Sequence, residues 1–300
     1  MSNERKNYRN GMISVICAMT LWGVLPIYWK ALIPISSNVL IIYRLFLSWL
    51  ASFIGALKVY GVEGLSGPLK DKKRIMIMIL AGIVITANWS IYIYAVNSGQ
   101  VIETCIGYYI DPLVICVFGI VFFKERPSRY KLISISFACA GVLIVLIHFM
   151  RIPIIAIMLA LTFATYTAIK KHLHMPPLVS LFYEMLCLAP VALALIIYAE
   201  VKGIGAFAVA QPHQLVILMF AGVLTAVPLA LYAVGTNRIS MVSLGIIDYI
   251  SPSINLVIGI FIFREPFDIV QFVAFVVIWT GLIFFTFGEI KEHGKMREAE

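Results

Sequence analysis

The stretch 106–125, IGYYIDPLVICVFGIVFFKE, and the stretch 246–265, IIDYISPSINLVIGIFIFRE, agree at nine of twenty positions when set side by side. Random matching at roughly one in ten would give about two. The shared residues include one proline (Pro112/Pro252), one glycine (Gly119/Gly259) and one glutamate (Glu125/Glu265), all in constant register. The same offset of 140 pairs Lys30 with Lys170, Tyr43 with Tyr183, Gly82 with Gly222, Tyr92 with Tyr232, Asn97 with Asn237 and Gly141 with Gly281. The chain is therefore an internal duplication, with halves expected at 10–148 and 150–288.

Each copy of that stretch also carries an acid and a proline inside an otherwise apolar run. The 300 residues are 62% hydrophobic and 13% charged, with a mean hydropathy of +0.98, against the roughly 25% charged residues of a soluble domain. Ten apolar runs recur, at about 10–32, 37–59, 74–98, 102–124, 128–148, 150–170, 178–200, 213–237, 241–264 and 267–288. Each is long enough to cross a ~30 Å hydrocarbon core as a helix. The reading is an all-α integral membrane protein of ten transmembrane helices. The first run follows a basic start, MSNERKNYRN, but has no A-x-A type cleavage site, so it reads as a retained span. The five cysteines all fall within apolar runs and read as packing residues.

Five spans is an odd number, so the second half must enter from the opposite face, and the repeat is inverted. Charge agrees with this. Of 23 Lys and Arg, 18 fall on one set of alternate loops and four on the other, with Arg44 inside a span. The positive-inside rule then places both termini in the cytoplasm, and the net charge of +8 records orientation rather than a nucleic-acid partner. Inverted repeats are the architecture of many secondary transporters, whose sites lie near the midplane where helices are interrupted.

Pro112 cannot donate to the carbonyl of Tyr108, nor Pro252 to that of Asp248. Paired kinks are therefore expected in spans four and nine. An ionised aspartate at a helix centre costs about 2.5–3.5 kcal/mol on insertion scales, so Asp111 and Asp248 should turn from lipid toward a shared interior. Asp248 is the mate of Tyr108, three residues from Asp111, and residues three apart share a helix face. Glu103, Gly107 and Asp111 continue that face. The expected substrate cavity comprises Trp22, Asn88, Trp89, Tyr92, Tyr108, Asp111, Tyr232, Asp248 and Tyr249, an apolar space with a few polar groups. Glu103, Asp111 and Asp248 are the candidates for proton coupling. Arg44 and Glu184 occupy equivalent positions and read as packing or interfacial charges, because no proline or glycine opens the backbone beside them. His172 and His174 read as solvated, and no metal-ligand spacing occurs.

The sequence contains no G-x-x-x-x-G-K-[ST] nucleotide loop, so ATP is not an expected partner and no cofactor is expected. Motifs for intramembrane hydrolysis are also absent from the sequence. The segments WGVLPIYWK (22–30), ANWSIYIYAVNSGQVIETCIGYYIDPLV (87–114), FFKERP (122–127), TAVPL (225–229) and SLGIIDYISP (243–252) resemble the RarD branch of the EamA-type drug/metabolite transporter superfamily. The resemblance runs the length of the chain. It implies two inverted five-helix EamA repeats, a central cavity lined by spans one, three, four, six, eight and nine, and export of amino acids, drugs or other small metabolites across a bacterial inner membrane. Its motif positions here are Trp22, Gly23, Pro26, Lys30, Asn88, Trp89, Asn97, Glu103, Gly107, Tyr108, Pro112, Glu125 and Pro252. The chain departs from it at Asp111 and Asp248, where the family carries amides. The expected function is alternating-access transport of a small organic solute, with protons as a candidate coupling ion. Alternatives are a non-transporting sensor or assembly subunit of the same fold, or a lipid-modifying enzyme.

Overall fold

The structure, a computed structural model, describes residues 3–97, 101–149, 154–264 and 269–298. Every regular element among them is helical. The first half comprises α1 (Asn3–Ala31), α2 (Ser37–Ser66), α3 (Lys72–Asn97), α4 (Val101–Val121) and α5 (Arg129–Phe149). In the second half α6 (Ile154–Leu173) is followed by α7 (Pro177–Leu186) and α8 (Leu188–Val201), which together make one crossing. A short turn, α9 (Ala206–Val209), leads to α10 (Pro212–Met219) and α11 (Ala221–Thr236), a second divided crossing. A third is made by α12 (Met241–Asp248) and α13 (Ile250–Phe261), and α14 (Ile269–Glu298) ends the bundle. Nine stretches among the described residues are long and apolar enough to span a bilayer, and α4, apolar over Ile106–Val121, makes the tenth crossing.

These sequences form helices because a chain in lipid must satisfy its backbone polar groups within each segment. Their outer faces remain apolar: Ile147, Phe122 and Phe287 are all more than 60% exposed on the bundle surface. Cys17, Cys139 and Cys187 are exposed and only Cys116 is buried among the described cysteines, so most of these thiols face outward rather than packing inside. Ser36 caps α2 by accepting from the amide of Val39 at 3.4 Å, and Gly61, at φ 66°, turns α2 where its apolar run ends.

The duplication is visible in the backbone. Lys124 (φ 53°) and Arg264 (φ 54°) are repeat mates, and both adopt the left-handed region that non-glycine residues seldom visit. Helix packing is exchanged between halves in the same way. α4 packs on α12 and α5 on α14, while α2 packs on α11 as α7 packs on α3. At the latter two crossings the mates Gly82 and Gly222 admit a backbone from the other half. A Cβ at Gly222 would collide with the carbonyl oxygen of Leu47, and one at Gly82 with that of Glu184. α1 begins and α14 ends on one face, where the Tyr8 hydroxyl donates to Glu289 Oε2 at 2.9 Å. That face is called the terminal face below, and the opposite one the far face.

The prolines do not act alike. α12 gives way to α13 at Tyr249, three residues before Pro252, as expected, but α4 runs unbroken through Pro112. The hydroxyl of Tyr249 donates to the carbonyl of Tyr109 at 2.9 Å, so part of α4's backbone polarity around the proline is met from α12/α13. Two further interruptions, at Cys187 and Phe220, divide the seventh and eighth crossings. Pro190 accounts for the first, since it cannot donate to Leu186.

Candidate functional site

A cavity of about 270 Å³ lies between the two halves. α1 contributes Trp22, Pro26 and Trp29, α2 contributes Arg44, and α3 contributes Asn88, Trp89 and Tyr92. From α4 come Thr104, Gly107, Tyr108, Asp111 and Pro112, and from α12 and α13 come Asp248, Ser251, Pro252 and Asn255. Leu159 and Phe163 of α6 and Leu229 of α11 close the rest. In α1 through α4 these residues fall in the half of each helix away from the terminal face. Tyr92 and Tyr108 are 38% and 45% exposed, their ring centroids 6.2 Å apart, and they stand at the far rim.

Seven of the nine side chains expected to form the cavity do line it. Tyr232 and Tyr249 instead lie behind its wall, at 0% and 2% exposure. The Tyr232 hydroxyl donates to Asp248 Oδ2 at 3.1 Å and pairs with Thr167 Oγ1 at 3.1 Å, whereas that of Tyr249 is turned to the α4 backbone. Both are thus committed to protein partners. Asp111 and Asp248 share the cavity as the three-residue offset predicts. The side chain of Glu103 lies outside the described residues.

The polar groups are unequally satisfied. Asn88 is fixed by its Nδ2, which donates to the carbonyl of Leu159 at 2.8 Å and to Thr162 Oγ1 at 2.9 Å. By contrast Asp111 Oδ1, Asp248 Oδ1 and Asn255 Oδ1 are buried with no hydrogen-bond partner among the described residues. All three are acceptors, and buried polar groups are ordinarily paired. Asn255 was missed in the sequence, where an amide three residues beyond Pro252 carries little signal.

Arg44 is a correction of a different kind. It lines the cavity rather than serving only in helix packing or at an interface. Its guanidinium lies over the ring of Trp89 at 4.0 Å and 5.3 Å from that of Trp29, and Nε donates to Thr225 Oγ1 at 3.0 Å. Among the described residues no carboxylate lies within ion-pair distance of it. Two tryptophan faces and one hydroxyl hold the fork in place with part of its donor capacity uncommitted. Glu184, the mate of Arg44, is a packing charge as expected: it is fully buried and paired with Lys170.

The cavity ends toward the terminal face on a packed layer of Met19, Met241, Val242, Leu244 and Tyr232. Below that layer polar contacts join the two halves. Glu125 accepts from the amides of Met241 at 2.8 Å and Val242 at 3.0 Å, at the start of α12. Lys171, which donates to the carbonyl of Ile239 in its own half at 2.7 Å, lies 3.6 Å from Glu125 across the halves.

The EamA-like transporter family model matches this chain twice, over residues 9–147 and 150–287. The chain is 35% identical to the uncharacterized transporter YojE of Bacillus subtilis, covering 94% of this chain and 95% of that one. It is 29% identical to the protein RarD of Streptomyces exfoliatus (96% and 92% covered) and 27% identical to that of Escherichia coli (96% and 97%). A crystal structure that shares 13% identity superposes with a TM-score of 0.71 over 92% of this chain, which shows the fold alone. Two family matches on the two halves of the helical bundle, and full-length relatives named as transporters or RarD, place the chain in the EamA-like transporter family as a multi-pass membrane transporter.

Proposed function

We propose that the protein is a secondary transporter that carries a small cationic or zwitterionic organic solute outward across a bacterial cytoplasmic membrane, exposing its cavity to each face in turn. One observation carries this reading: three acceptor atoms, on Asp111, Asp248 and Asn255, that have no partner among the described residues share a small aromatic-walled cavity with a guanidinium that has no carboxylate partner among them. Two carboxylates with buried oxygens need compensating charge or protons, because an uncompensated buried charge is strongly unfavourable. An ammonium group brings three donors to three acceptors. A carboxylate on the same solute matches the fork of Arg44. The cavity lies just below the usual range of ~300–1,000 Å³ for ligand sites, which suits a small metabolite rather than a large drug. When the solute leaves, protons on Asp111 or Asp248 would replace its positive charge, which couples its export to proton entry. The duplicated halves, at 10–148 and 150–288, would exchange arrangements as the cavity alternates between the two faces. The family resemblance supports outward direction, and the charge asymmetry of the loops supports cytoplasmic termini.

Proteoliposomes preloaded with unlabelled amino acids or amines, and assayed for counterflow of the same labelled solute, test the reading. Arg44→Ala should abolish counterflow of amino acids while sparing amines, and Asp248→Asn should impair both. Folded, correctly inserted protein that moves none of the panel, or moves only anions, would overturn it.

A further inference from the structure

A second cluster of charged side chains lies in the sealed half of the bundle and takes no part in the cavity. Lys170 of α6 is 5% exposed and Glu184 of α7 is 0% exposed. Nζ of Lys170 donates to Glu184 Oε1 at 2.5 Å and to Ser180 Oγ at 2.8 Å, and the Tyr166 hydroxyl donates to Glu184 Oε2 at 3.1 Å. An ion pair this deep is poorly explained by stability alone, since apolar residues of equal volume commonly serve as well or better.

The repeat supplies another explanation. Pro26, Arg44, Trp89, Tyr92 and Tyr108 line the cavity, and their mates 140 residues on are Tyr166, Glu184, Leu229, Tyr232 and Asp248. Those mates form a continuous group. Tyr166 bonds Glu184, Tyr232 bonds Asp248, and the Phe163 ring bridges Tyr166 and Tyr232 at 6.2 and 5.7 Å. Leu229 and Asp248 belong to both sets, which puts them at the crossover between the halves. When inverted repeats alternate, each half takes up the arrangement of the other, so the walls of one state's cavity are the mates of the next state's.

We infer that Tyr166, Lys170 and Glu184 are the latent half of the permeation path, sealed here and water-filled when the cavity opens to the terminal face. In that state Glu184 presents a carboxylate to the solute's ammonium at the position where Arg44 presents a guanidinium to its carboxylate. The inference rests on the alternating-access reading above. Glu125 and Lys171 form the seal, because the bonds of Glu125 to Met241 and Val242 and its ion pair with Lys171 cross between the halves and must break for the face to open.

Single cysteines in a cysteine-free chain, labelled by an impermeant thiosulfonate from each face of oriented vesicles, separate the possibilities. Ser251→Cys reports the open cavity. Ile169→Cys, at the mate of Trp29, reports the latent path, and Ala138→Cys, buried between α5 and α14, is the control. Adding Glu125→Gln should slow labelling of Ser251→Cys from the far face. It should also raise labelling of Ile169→Cys from the terminal face by about tenfold, the shift expected from losing one charge-assisted hydrogen bond in a two-state equilibrium. If Ser251→Cys slows while Ile169→Cys stays at the rate of Ala138→Cys, the latent path is wrong although alternation stands. If Ser251→Cys is unchanged in both Glu125→Gln and Lys171→Gln, the alternating reading falls and the inference with it.

Discussion

Asp248 binds the Tyr232 hydroxyl through one oxygen and leaves the other without a partner among the described residues, whereas Arg44 is held by aromatic faces and a single hydroxyl. Their substitutions should therefore differ in kind. Asp248→Asn keeps an acceptor and the shape, so the protein should fold normally and lose affinity for amine-bearing solutes by ~10- to 100-fold, the worth of a charge-assisted hydrogen bond. Binding calorimetry on detergent-solubilised protein checks this. Arg44→Lys keeps the charge but loses the fork and the stacking, so it should weaken carboxylate binding nearly as much as Arg44→Ala. The two acids were legible because an ionisable group in an apolar run is costly wherever it points. Rotation about the helix axis was not, which is why Tyr232 and Tyr249 were expected in the cavity and lie behind it. Arg44 was harder still, because Trp29, Trp89 and Thr225, from three other helices, make its environment and none is near it in sequence.

Helix length follows from bilayer thickness, so the crossings were legible, whereas their interruptions depend on what each helix packs against. Pro252 marked one and Pro190 could have marked another, yet Pro112 sits in an unbroken α4. Pro252→Ala should consequently disturb transport more than Pro112→Ala, because it rejoins α12 and α13 while the other substitution acts on a helix already continuous; counterflow rates of the two variants are the comparison. At the crossings of α3 with α7 and α2 with α11 there is no room for a methyl group. Gly82→Ala and Gly222→Ala should each lower the unfolding temperature in detergent by several degrees, as overpacking at ~1–3 kcal/mol implies. Gly67→Ala, with open space around it, should change little. Lys170 shows the limit of reading an element from its end. Beside Lys171 and His172 it reads as a loop charge, but the last turn of α6 carries it into the bundle against Glu184. Glu184→Ala, which strands that ammonium, should cost ~3–5 kcal/mol, and Glu184→Gln considerably less.

At the scale of the whole molecule, the duplication was legible because a proline, a glycine and a glutamate keep one register, and the matched left-handed residues Lys124 and Arg264 repeat it in conformation. Loop charge predicts that the terminal face is cytoplasmic. An impermeant thiol reagent on intact spheroplasts should reach a cysteine at 205 and not one at 72, and the reverse pattern would invert the topology. The bond between Tyr8 and Glu289 carries one more consequence. Terminal helices that touch can be linked, and a chain so closed can be cut elsewhere. A circular permutant opened between the halves, with 154–298 preceding 3–149, keeps every helix contact of the parent. Its new N-terminus, however, would start on the far face, against the charge bias that orients the natural chain. Such a permutant, made to insert in both orientations, would separate what the fold requires from what membrane insertion requires.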